Sequence, residues 1–280
     1  MNLINGFQLK MTSLSIVLYN TSEEDIQNIF SSLVNVKILY KLYVIDNSPQ
    51  DQLKKYFVDK KDITYIHNPS NPGFGASHNI ALEMSIHEGV DFHFVINPDV
   101  FFKEDVISKM ISYMRDNSDV GMMMPEILNL DGSIQNLPKL LPSPLSIILR
   151  KLQKPKFIYQ KFINKYELRF VEKNTTYVAP ILSGCFTLFR TEALNEIGLY
   201  DDRFFMYFED WDISRRMHEK YKTVYFPEVS IYHGYESGAN KSSRLFKVFL
   251  MSAKTYFNKW GWIFDKERVK VNKNTLNQFK

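Results

Sequence analysis

The chain has 280 residues, of which 45% are hydrophobic and 24% charged, with only 11 Gly and 11 Pro. These values exclude a disordered, collagen-like or low-complexity protein and fit one large α/β domain with or without a terminal extension. The single cysteine excludes an internal disulfide or a cysteine-based zinc cluster and favours the cytoplasm. Because no apolar run approaches ~20 residues and the first fifteen residues lack the order of a secretory signal, a soluble or peripheral protein is expected.

The net charge of +4 is unevenly distributed along the chain. Residues 139–173 hold nine Lys/Arg and two Asp/Glu, residues 241–280 hold ten and two, and the rest of the chain carries a net charge of −11. Basic segments are often only solvated surface, but they also suit phosphate or an anionic membrane. Both interpretations stay open.

The first 124 residues alternate short apolar runs with amphipathic stretches. Helices are predicted to begin near Ser22 and to cover 76–88 and 104–114, and strands are predicted at 14–18, 42–45, 63–66, 92–96 and 120–124. Strands that alternate with helices predict an α/β fold with a mostly parallel sheet covered on both faces. Ligands of such sheets bind at the carboxyl ends of the strands.

Each of the first four predicted strands runs into a short polar turn. These turns are Tyr19-Asn20, Asp46-Asn47, His67-Asn68 and Asn97-Pro98-Asp99. Any loop contains such residues, but four of them on one sheet edge would build a polar pocket. The segment NPGFGASHN at 71–79 adds a glycine-rich turn before a helix, where a ligand could approach the backbone, although it is not a dinucleotide-binding fingerprint.

Two residues are candidate ligands of a metal ion. Asp99 follows a buried strand and a proline, where a carboxylate can hold a hard divalent cation, although a turn or helix-capping aspartate is the alternative. His233 follows an apolar segment and could complete such a site, but a histidine beside a strand is more often a packed core residue.

The second half adds an acidic cluster at a predicted helix start. A strand is predicted over 181–189, with a small-residue break at Ser183-Gly184 that would let a ligand approach the backbone. A short helix over 191–197 follows, and then Glu209, Asp210 and Asp212. The helix dipole explains one of these acids, but three exceed what capping needs, so one can serve as a general base and another can orient an acceptor.

The order of these motifs resembles that of family 2 glycosyltransferases with the GT-A fold, in particular bacterial rhamnosyltransferases of O-antigen and capsule assembly. The resemblance rests on YN at 19–20, VIDNS at 44–48, NPGFGASHN at 71–79, NPD at 97–99, SGCF at 183–186, FFMYFEDWD at 204–212 and His233. It implies a Rossmann-like GT-A domain over residues 1–240, in which 139–176 form a basic lid or acceptor-side insertion. A basic, aromatic helical extension over 241–280 follows.

The resemblance also implies roles for individual residues. Asp46 would bind the nucleotide base, Asp99 and His233 would hold Mg²⁺ or Mn²⁺, and Asp210 would be the catalytic base with Glu209 beside it. Asn97 stands where the family has the first Asp of its D-x-D motif, so it offers a neutral carbonyl oxygen instead of a charge. The other residues expected to line the donor site are Tyr19, Asn20, Asn47, Gly75, Asn79, Ser183 and Gly184.

The implied reaction is an inverting transfer of a sugar from a nucleotide-sugar donor to a hydroxyl of a lipid-linked saccharide. L-Rhamnose from dTDP-L-rhamnose is the expected donor, and UDP-galactofuranose, UDP-glucose and UDP-galactose fit the same motifs. A sugar nucleotidyltransferase would carry a basic Gly-rich loop where Tyr19-Asn20 stand, and a noncatalytic nucleotide-sugar-binding protein would have no use for the acidic cluster.

The expected partners follow from the same implication and from the basic segments. Nucleic acid is not among them. Residues 244–264 mix lysines with aromatic residues, which predicts either contact with the anionic cytoplasmic face of a membrane or packing on the body or in a homodimer.

Overall fold

The computed structural model describes residues 12–58, 60–234 and 242–280. A nine-stranded sheet forms its centre, with helices packed against it. The strands are β1 Thr12–Leu18, β2 Tyr40–Asp46, β3 Ile63–His67, β4 Phe92–Ile96, β5 Val100–Phe101, β6 Val120–Leu128, β7 Tyr177–Val178, β8 Phe186–Arg190 and β9 Lys222–His233. The helices are α1 Glu23–Leu33, α2 Phe74–His87, α3 Val106–Asp116, α4 Pro144–Leu152, α5 Lys156–Tyr166, α6 Thr191–Ile197, α7 Glu209–His218, α8 Ser243–Trp260 and α9 Lys266–Asn277, with a short 3₁₀ helix at Gln52–Tyr56.

The sheet is parallel on one side and mixed on the other. Its order is β3-β2-β1-β4-β8-β6-β9-β5, with β7 paired to β9. The first four strands in this order are parallel, whereas β8 runs antiparallel to both of its neighbours. The prediction of an α/β fold with a mostly parallel sheet is confirmed: six of the nine strands share one direction, and β5, β7 and β8 run against it. The antiparallel β8 begins beside the end of β4 and so brings residues 183–186 to the edge that carries the polar turns.

Alternating residues of β2 show how helices cover both faces of the sheet. Leu42 and Val44 belong to one buried cluster, which includes the apolar side of α1, while Tyr43 and Ile45 pack with Ala81 of α2. Successive strand residues point to opposite faces, so the two helices lie on opposite sides. The start of α1 is set by Ser22, whose hydroxyl oxygen accepts the Asp25 N–H at 3.1 Å.

The predicted strand over 181–189 begins only at Phe186. Two N–H groups of the backbone before it bond to side chains of helix α7 instead of to a neighbouring strand. The Leu182 N–H donates to the Ser214 hydroxyl at 3.2 Å, and the Gly184 N–H donates to the Asp210 carboxylate at 3.3 Å. These amides are therefore unavailable to a strand ladder.

The C-terminal helices pack on helix α7. Tyr256 and Phe257 of α8 are buried with Phe208 and Trp211 in one apolar cluster. The Arg215 guanidinium donates two hydrogen bonds of 2.8 Å to the Asp265 carboxylate. The aromatic side of α8 thus lies against the body, which is one of the arrangements predicted for this segment. The predicted boundary at residues 240–241 lies outside the described residues.

None of the helices in the described ranges is both long enough and apolar enough to cross a lipid bilayer.

Candidate active site

The polar turns after β1 and β2 meet through hydrogen bonds at one sheet edge. Asn20 adopts a left-handed backbone conformation with φ of 49°, and its N–H donates to the Ser48 hydroxyl at 2.9 Å. Tyr19 beside it is 53% exposed. A left-handed turn at a residue other than glycine is uncommon and needs such support from its neighbours.

Asp46 and Asn47 are buried below this edge. The Asp46 carboxylate accepts the Ser48 N–H at 2.9 Å and the Tyr65 hydroxyl at 2.6 Å. Asn47 donates its side-chain amide to the Ser77 hydroxyl at 2.7 Å, and this bond ties the β2 turn to helix α2. Both Asp46 oxygens already have partners, so recognition of a base by Asp46 stays a prediction.

Internal packing explains the glycines before and at the start of α2. A Cβ on Gly73 would lie 2.2 Å from the Phe205 carbonyl oxygen, and one on Gly75 would lie 2.8 Å from the Tyr200 Cβ. Asn79 accepts the Tyr200 N–H at 3.0 Å and donates to the Asp202 carboxylate at 2.9 Å. This segment therefore holds the loop before α7 in place, and the predicted donor contacts of Gly75 and Asn79 stay untested predictions.

The two candidate metal ligands lie side by side. His233 at the end of β9 is 5% exposed, Asp99 is 33% exposed, and His233 Nε2 lies 3.4 Å from an Asp99 carboxylate oxygen. The Asn97 amide nitrogen lies 3.4 Å from the same Nε2. Gln135 orients the histidine from behind, because its amide nitrogen donates to the His233 carbonyl at 3.0 Å and its amide oxygen lies 3.2 Å from Nδ1.

Charge around His233 favours a proton on the imidazole. Burial lowers the pKa of His233, but the neighbouring Cys185 and Asp99 outweigh it and raise the pKa to about 10. A protonated imidazole cannot ligate a cation, so cation binding would have to displace this proton.

This group of side chains fits a divalent cation such as Mg²⁺ or Mn²⁺ as part of its ligand shell. Asp99 offers a carboxylate, His233 an imidazole, and Asn97 a buried amide oxygen that has no hydrogen-bond partner among the described residues. Such cations accept an incomplete protein shell that water or phosphate completes. Within the described ranges no three His, Cys, Asp or Glu side chains cluster as a metal site, so water or phosphate would have to supply further ligands.

A short chain of contacts joins the metal-ligand candidates to the acidic cluster. The Asn97 N–H donates to the Cys185 carbonyl at 2.8 Å, next to the Gly184 N–H that donates to Asp210. A Cβ on Gly184 would lie 3.3 Å from the Asp210 Cβ, which is tighter than ordinary contact. Asp99 and Asp210, predicted from distant parts of the chain, therefore border one region at the carboxyl ends of β1, β2 and β4.

Two residues with left-handed backbone precede the acidic pair at the start of α7. Tyr207 and Phe208 both have left-handed backbone conformations with φ of 69°, although neither is glycine. Two such residues in succession are costly and occur where the surrounding structure holds them, often at functional sites. The Phe208 ring is buried against Trp211 and Tyr256, which provides that support.

Burial shifts the titration of Glu209 and Asp210 upward. Burial raises the pKa of Asp210 to about 6, against the opposing effects of Lys139 and of the Gly184 and Trp211 N–H groups. Burial and the adjacent Asp210 raise the pKa of Glu209 well above its usual range. Burial therefore favours the protonated form of both acids, so the pair takes up protons more readily than exposed carboxylates do.

Lys139 is a site residue that the sequence showed only as the start of a basic segment. It is buried, its Nζ donates to the Leu137 carbonyl at 2.7 Å, and its backbone pairs with Ile181, three residues before Gly184. Burial and Arg150 lower the pKa of Lys139 to about 8, while the charge of Asp210 opposes them. A lone lysine in a basic run carries no spacing signal that could reveal this placement.

Comparison with known proteins agrees with the motif order. The family model described as glycosyl transferase family 2 matches residues 13–198, which is most of the chain. The protein belongs to family 2 of the glycosyltransferases, as the motifs predicted.

Three curated relatives have low sequence identity to this chain, and all three are named as glycosyltransferases. The low-salt glycan biosynthesis hexosyltransferase Agl10 of Haloferax volcanii is 26% identical over 211 residues, which are 75% of this chain but only 62% of that protein. An N-acetylglucosaminyl-diphospho-decaprenol L-rhamnosyltransferase of Mycobacterium tuberculosis is 25% identical over 71% of this chain and 67% of its own length. The rhamnosyltransferase WbbL of Escherichia coli is 24% identical over 86% of this chain and 90% of its own.

Solved structures share the fold. The crystal structure of GalNAc-T7 with UDP, GalNAc and Mn²⁺ superposes with a TM-score of 0.60 at 14% identity, over 88% of this chain and 48% of that one. That of S. aureus TarS gives 0.57 at 14% identity, over 95% of this chain and 43% of TarS. At this identity the similarity shows the fold alone, which is the GT-A fold that the motifs implied.

Proposed function

We propose that this glycosyltransferase moves a sugar, L-rhamnose from dTDP-L-rhamnose, to a hydroxyl of a lipid-linked saccharide, with inversion at the anomeric carbon. The observation that carries the proposal is the contact path from the Asp99–His233 pair through Cys185 and Gly184 to Asp210. This path connects the proposed diphosphate site to the proposed base at the same sheet edge.

Asp210 is the proposed general base. With a pKa of about 6 it is ionised at neutral pH, yet basic enough to accept a proton from an acceptor hydroxyl. The acceptor oxygen forms its bond to the anomeric carbon as its proton passes to Asp210. The bond from that carbon to the donor phosphate breaks, and its electron pair leaves with the nucleoside diphosphate. Attack from the opposite side inverts the configuration in one step.

Asn97, Asp99 and His233 are the residues that would hold Mg²⁺ or Mn²⁺. When bound, the cation supplies positive charge next to the diphosphate. Gln135 positions the His233 ring through both of its amide atoms, and Asp99 stays accessible at the sheet edge. These residues therefore bind and orient the leaving group without themselves exchanging a proton with the acceptor.

The donor and acceptor are proposed from the relatives. Two of those named above are rhamnosyltransferases, and one acts on an N-acetylglucosaminyl-diphospho-decaprenol according to its name. A lipid-linked acceptor in surface polysaccharide synthesis, such as O-antigen or capsule, places the enzyme in the cytoplasm or at the cytoplasmic face of the membrane. UDP-galactofuranose, UDP-glucose and UDP-galactose are the alternative donors.

The direct test is to incubate the protein with each donor, Mn²⁺ and a lipid-linked N-acetylglucosaminyl diphosphate, and to measure the nucleoside diphosphate that is released. Release with dTDP-L-rhamnose and an inverted anomeric centre in the product, seen by NMR, are the expected results. Release only with a UDP-sugar would replace the donor, and a product of retained configuration would contradict the mechanism.

Donor binding is tested separately by thermal unfolding, because a ligand that binds only the native state raises the unfolding temperature. We expect dTDP-L-rhamnose with Mn²⁺ to stabilise the wild type and to stabilise Asp99→Asn less. Asp116→Asn, an exposed residue at the end of α3, is the matched control and should respond like the wild type.

A further inference from the structure

Helix α4 turns an apolar stripe toward solvent. Leu145, Ile148 and Leu152 are 61%, 52% and 61% exposed, and their spacing of three and four residues places them on one side of the helix. An amphipathic helix normally buries such a stripe against its own protein. This one is uncovered among the described residues.

The connection from α4 to α5 continues this surface. All eight residues from 151 to 158 are exposed, and they include Lys151, Lys154, Lys156, Phe157 and Ile158. Phe157 is 76% exposed. From residue 143 to residue 166 the chain contains six Lys/Arg and no Asp or Glu, so every charged side chain of this segment is basic.

Helix α8 extends the surface with its outer side. Lys247, Leu250, Met251 and Lys254 are exposed at helical spacing, while the opposite side of the helix packs on α7. The Lys151 ammonium lies 4.6 Å from the centre of the Phe246 ring, so the end of α4 adjoins the first turn of α8. Residues 242–264 contain no Asp or Glu either.

We infer that these two elements, residues 145–158 and the outer side of α8, form a membrane-binding face that docks on an anionic lipid bilayer. Aliphatic and aromatic side chains would enter the boundary between headgroups and acyl chains, and the lysines would bind the anionic headgroups. A protein partner fits less well because lysine is depleted at protein interfaces. A nucleic acid would use the lysines but not the leucine and isoleucine stripe.

The membrane-binding face is joined to the acidic pair of the active site. The Arg150 guanidinium lies 6.0 Å from the centre of the Trp211 ring, and Trp211 follows Asp210 in helix α7. Phe249 of α8 packs against Phe208, at the strained turn before Glu209. Docking would therefore bring the base close to the headgroup layer, where the diphosphate of a lipid-linked acceptor lies. This consequence rests on the proposed function, whereas docking itself does not.

Flotation of the full chain with vesicles tests the inference. We expect the protein to float with vesicles of phosphatidylcholine and phosphatidylglycerol at low salt and to float less with phosphatidylcholine alone. The double variant Lys154→Gln/Lys156→Gln should weaken the partition coefficient about thirty-fold, because the loss of each lysine near an anionic surface weakens it roughly five-fold. Phe157→Ser/Ile158→Ser should weaken it about ten-fold or more.

Two control variants match these changes elsewhere on the surface. Lys37→Gln/Lys61→Gln removes two exposed lysines, and Val34→Ser/Leu39→Ser removes two exposed apolar side chains. Both controls should partition within about two-fold of the wild type, since neither touches the proposed face. Thermal unfolding is measured for every variant to verify that the chain is folded.

Three results would overturn the inference: a folded wild type that stays in the soluble fraction with anionic vesicles, equal losses in the control variants, or binding to heparin without binding to vesicles. The last would indicate a soluble polyanion. Sugar transfer to a short-chain, water-soluble acceptor is measured in parallel without vesicles. Transfer without flotation removes only the membrane-binding face, and flotation without transfer from any donor removes only the proposed function.

Discussion

The two sides of helix α7 use carboxylates in opposite ways. Asp210, on the side facing the sheet edge, accepts two backbone N–H groups at 3.3 and 2.9 Å, and its pKa is raised to about 6. Asp212, on the side facing the C-terminal helices, is fully buried and accepts hydrogen bonds from Trp260 at 2.8 Å, Lys259 at 2.9 Å and Arg216 at 2.8 Å.

The difference distinguishes the candidate base from the other acids of the cluster. Asp212 is surrounded by two cations and an indole N–H, so its charge is satisfied and its position fixed. No cation of the described part of the chain contacts Asp210 directly, and burial raises its affinity for a proton. Two positions along the helix thus separate a structural anchor from a candidate base, although the sequence shows both as acids at a helix start.

Replacement of the candidate base should produce the largest effect. Asp210→Asn is expected to lower kcat by about 10²- to 10⁴-fold, because the amide cannot accept the acceptor's proton. Donor-induced thermal stabilisation should persist. In the wild type, activity should fall about ten-fold for each pH unit below the pKa of about 6, since the base must be deprotonated.

Glu219→Gln provides the control on the same helix, because Glu219 is exposed at its C-terminal end. That variant should turn over like the wild type. Near-normal turnover of Asp210→Asn with intact donor binding would remove Asp210 from the mechanism.

The anchor should show the opposite signature, a loss of stability. Asp212→Asn leaves Lys259 and Arg216 beside a neutral side chain and should lower the free energy of unfolding by about 3 kcal/mol. Urea unfolding measures this change. The fraction that remains folded should keep kcat within a few-fold of the wild type. An unchanged unfolding midpoint combined with lost turnover would contradict this assignment and would indicate that Asp212 is the base and Asp210 the structural residue.

The donor half of the fold was predictable because its signals are local. Leu14 to Leu18 forms a strand, and Tyr19-Asn20 is the polar turn that follows it. The alternation of strands with helices predicted parallel strands, and the carboxyl ends of parallel strands lie at one sheet edge. The four polar turns could therefore be placed together from the sequence. Glu209 and Asp210 were predicted as site residues because the cluster holds more acids than helix capping needs.

The remaining site residues depend on contacts between distant parts of the chain. Gln135 reaches His233 across 98 positions, and Lys259 reaches Asp212 across 47. The first contact follows from the pairing of β6 with β9 and the second from the packing of α8 on α7, and neither arrangement leaves a periodic pattern in the sequence. The strand predicted over 181–189 was too long for a related reason, since side chains of the distant helix α7 accept the Leu182 and Gly184 N–H groups.

Asp210 and Asp212 also differ in the lysine that lies near each of them, and a smaller effect is expected from replacing that lysine. Lys259 contacts Asp212 directly, whereas Lys139 donates to the Leu137 carbonyl and acts on Asp210 through its charge. Because that charge lowers the pKa of Asp210, Lys139→Met should raise this pKa and move the acidic limb of the pH–rate profile upward by about one unit.

At pH 6 the Lys139→Met variant should therefore lose several-fold in turnover, while at pH 8, where Asp210 is ionised in both proteins, it should stay close to the wild type. Lys139→Arg keeps the charge and should keep the wild-type profile. Lys165→Met, an exposed lysine of the same basic segment, is the control for a general change in surface charge. A merely structural role for Lys139 would lower turnover equally at both pH values and leave the limb in place, because the limb moves only if the lysine acts on the base through its charge.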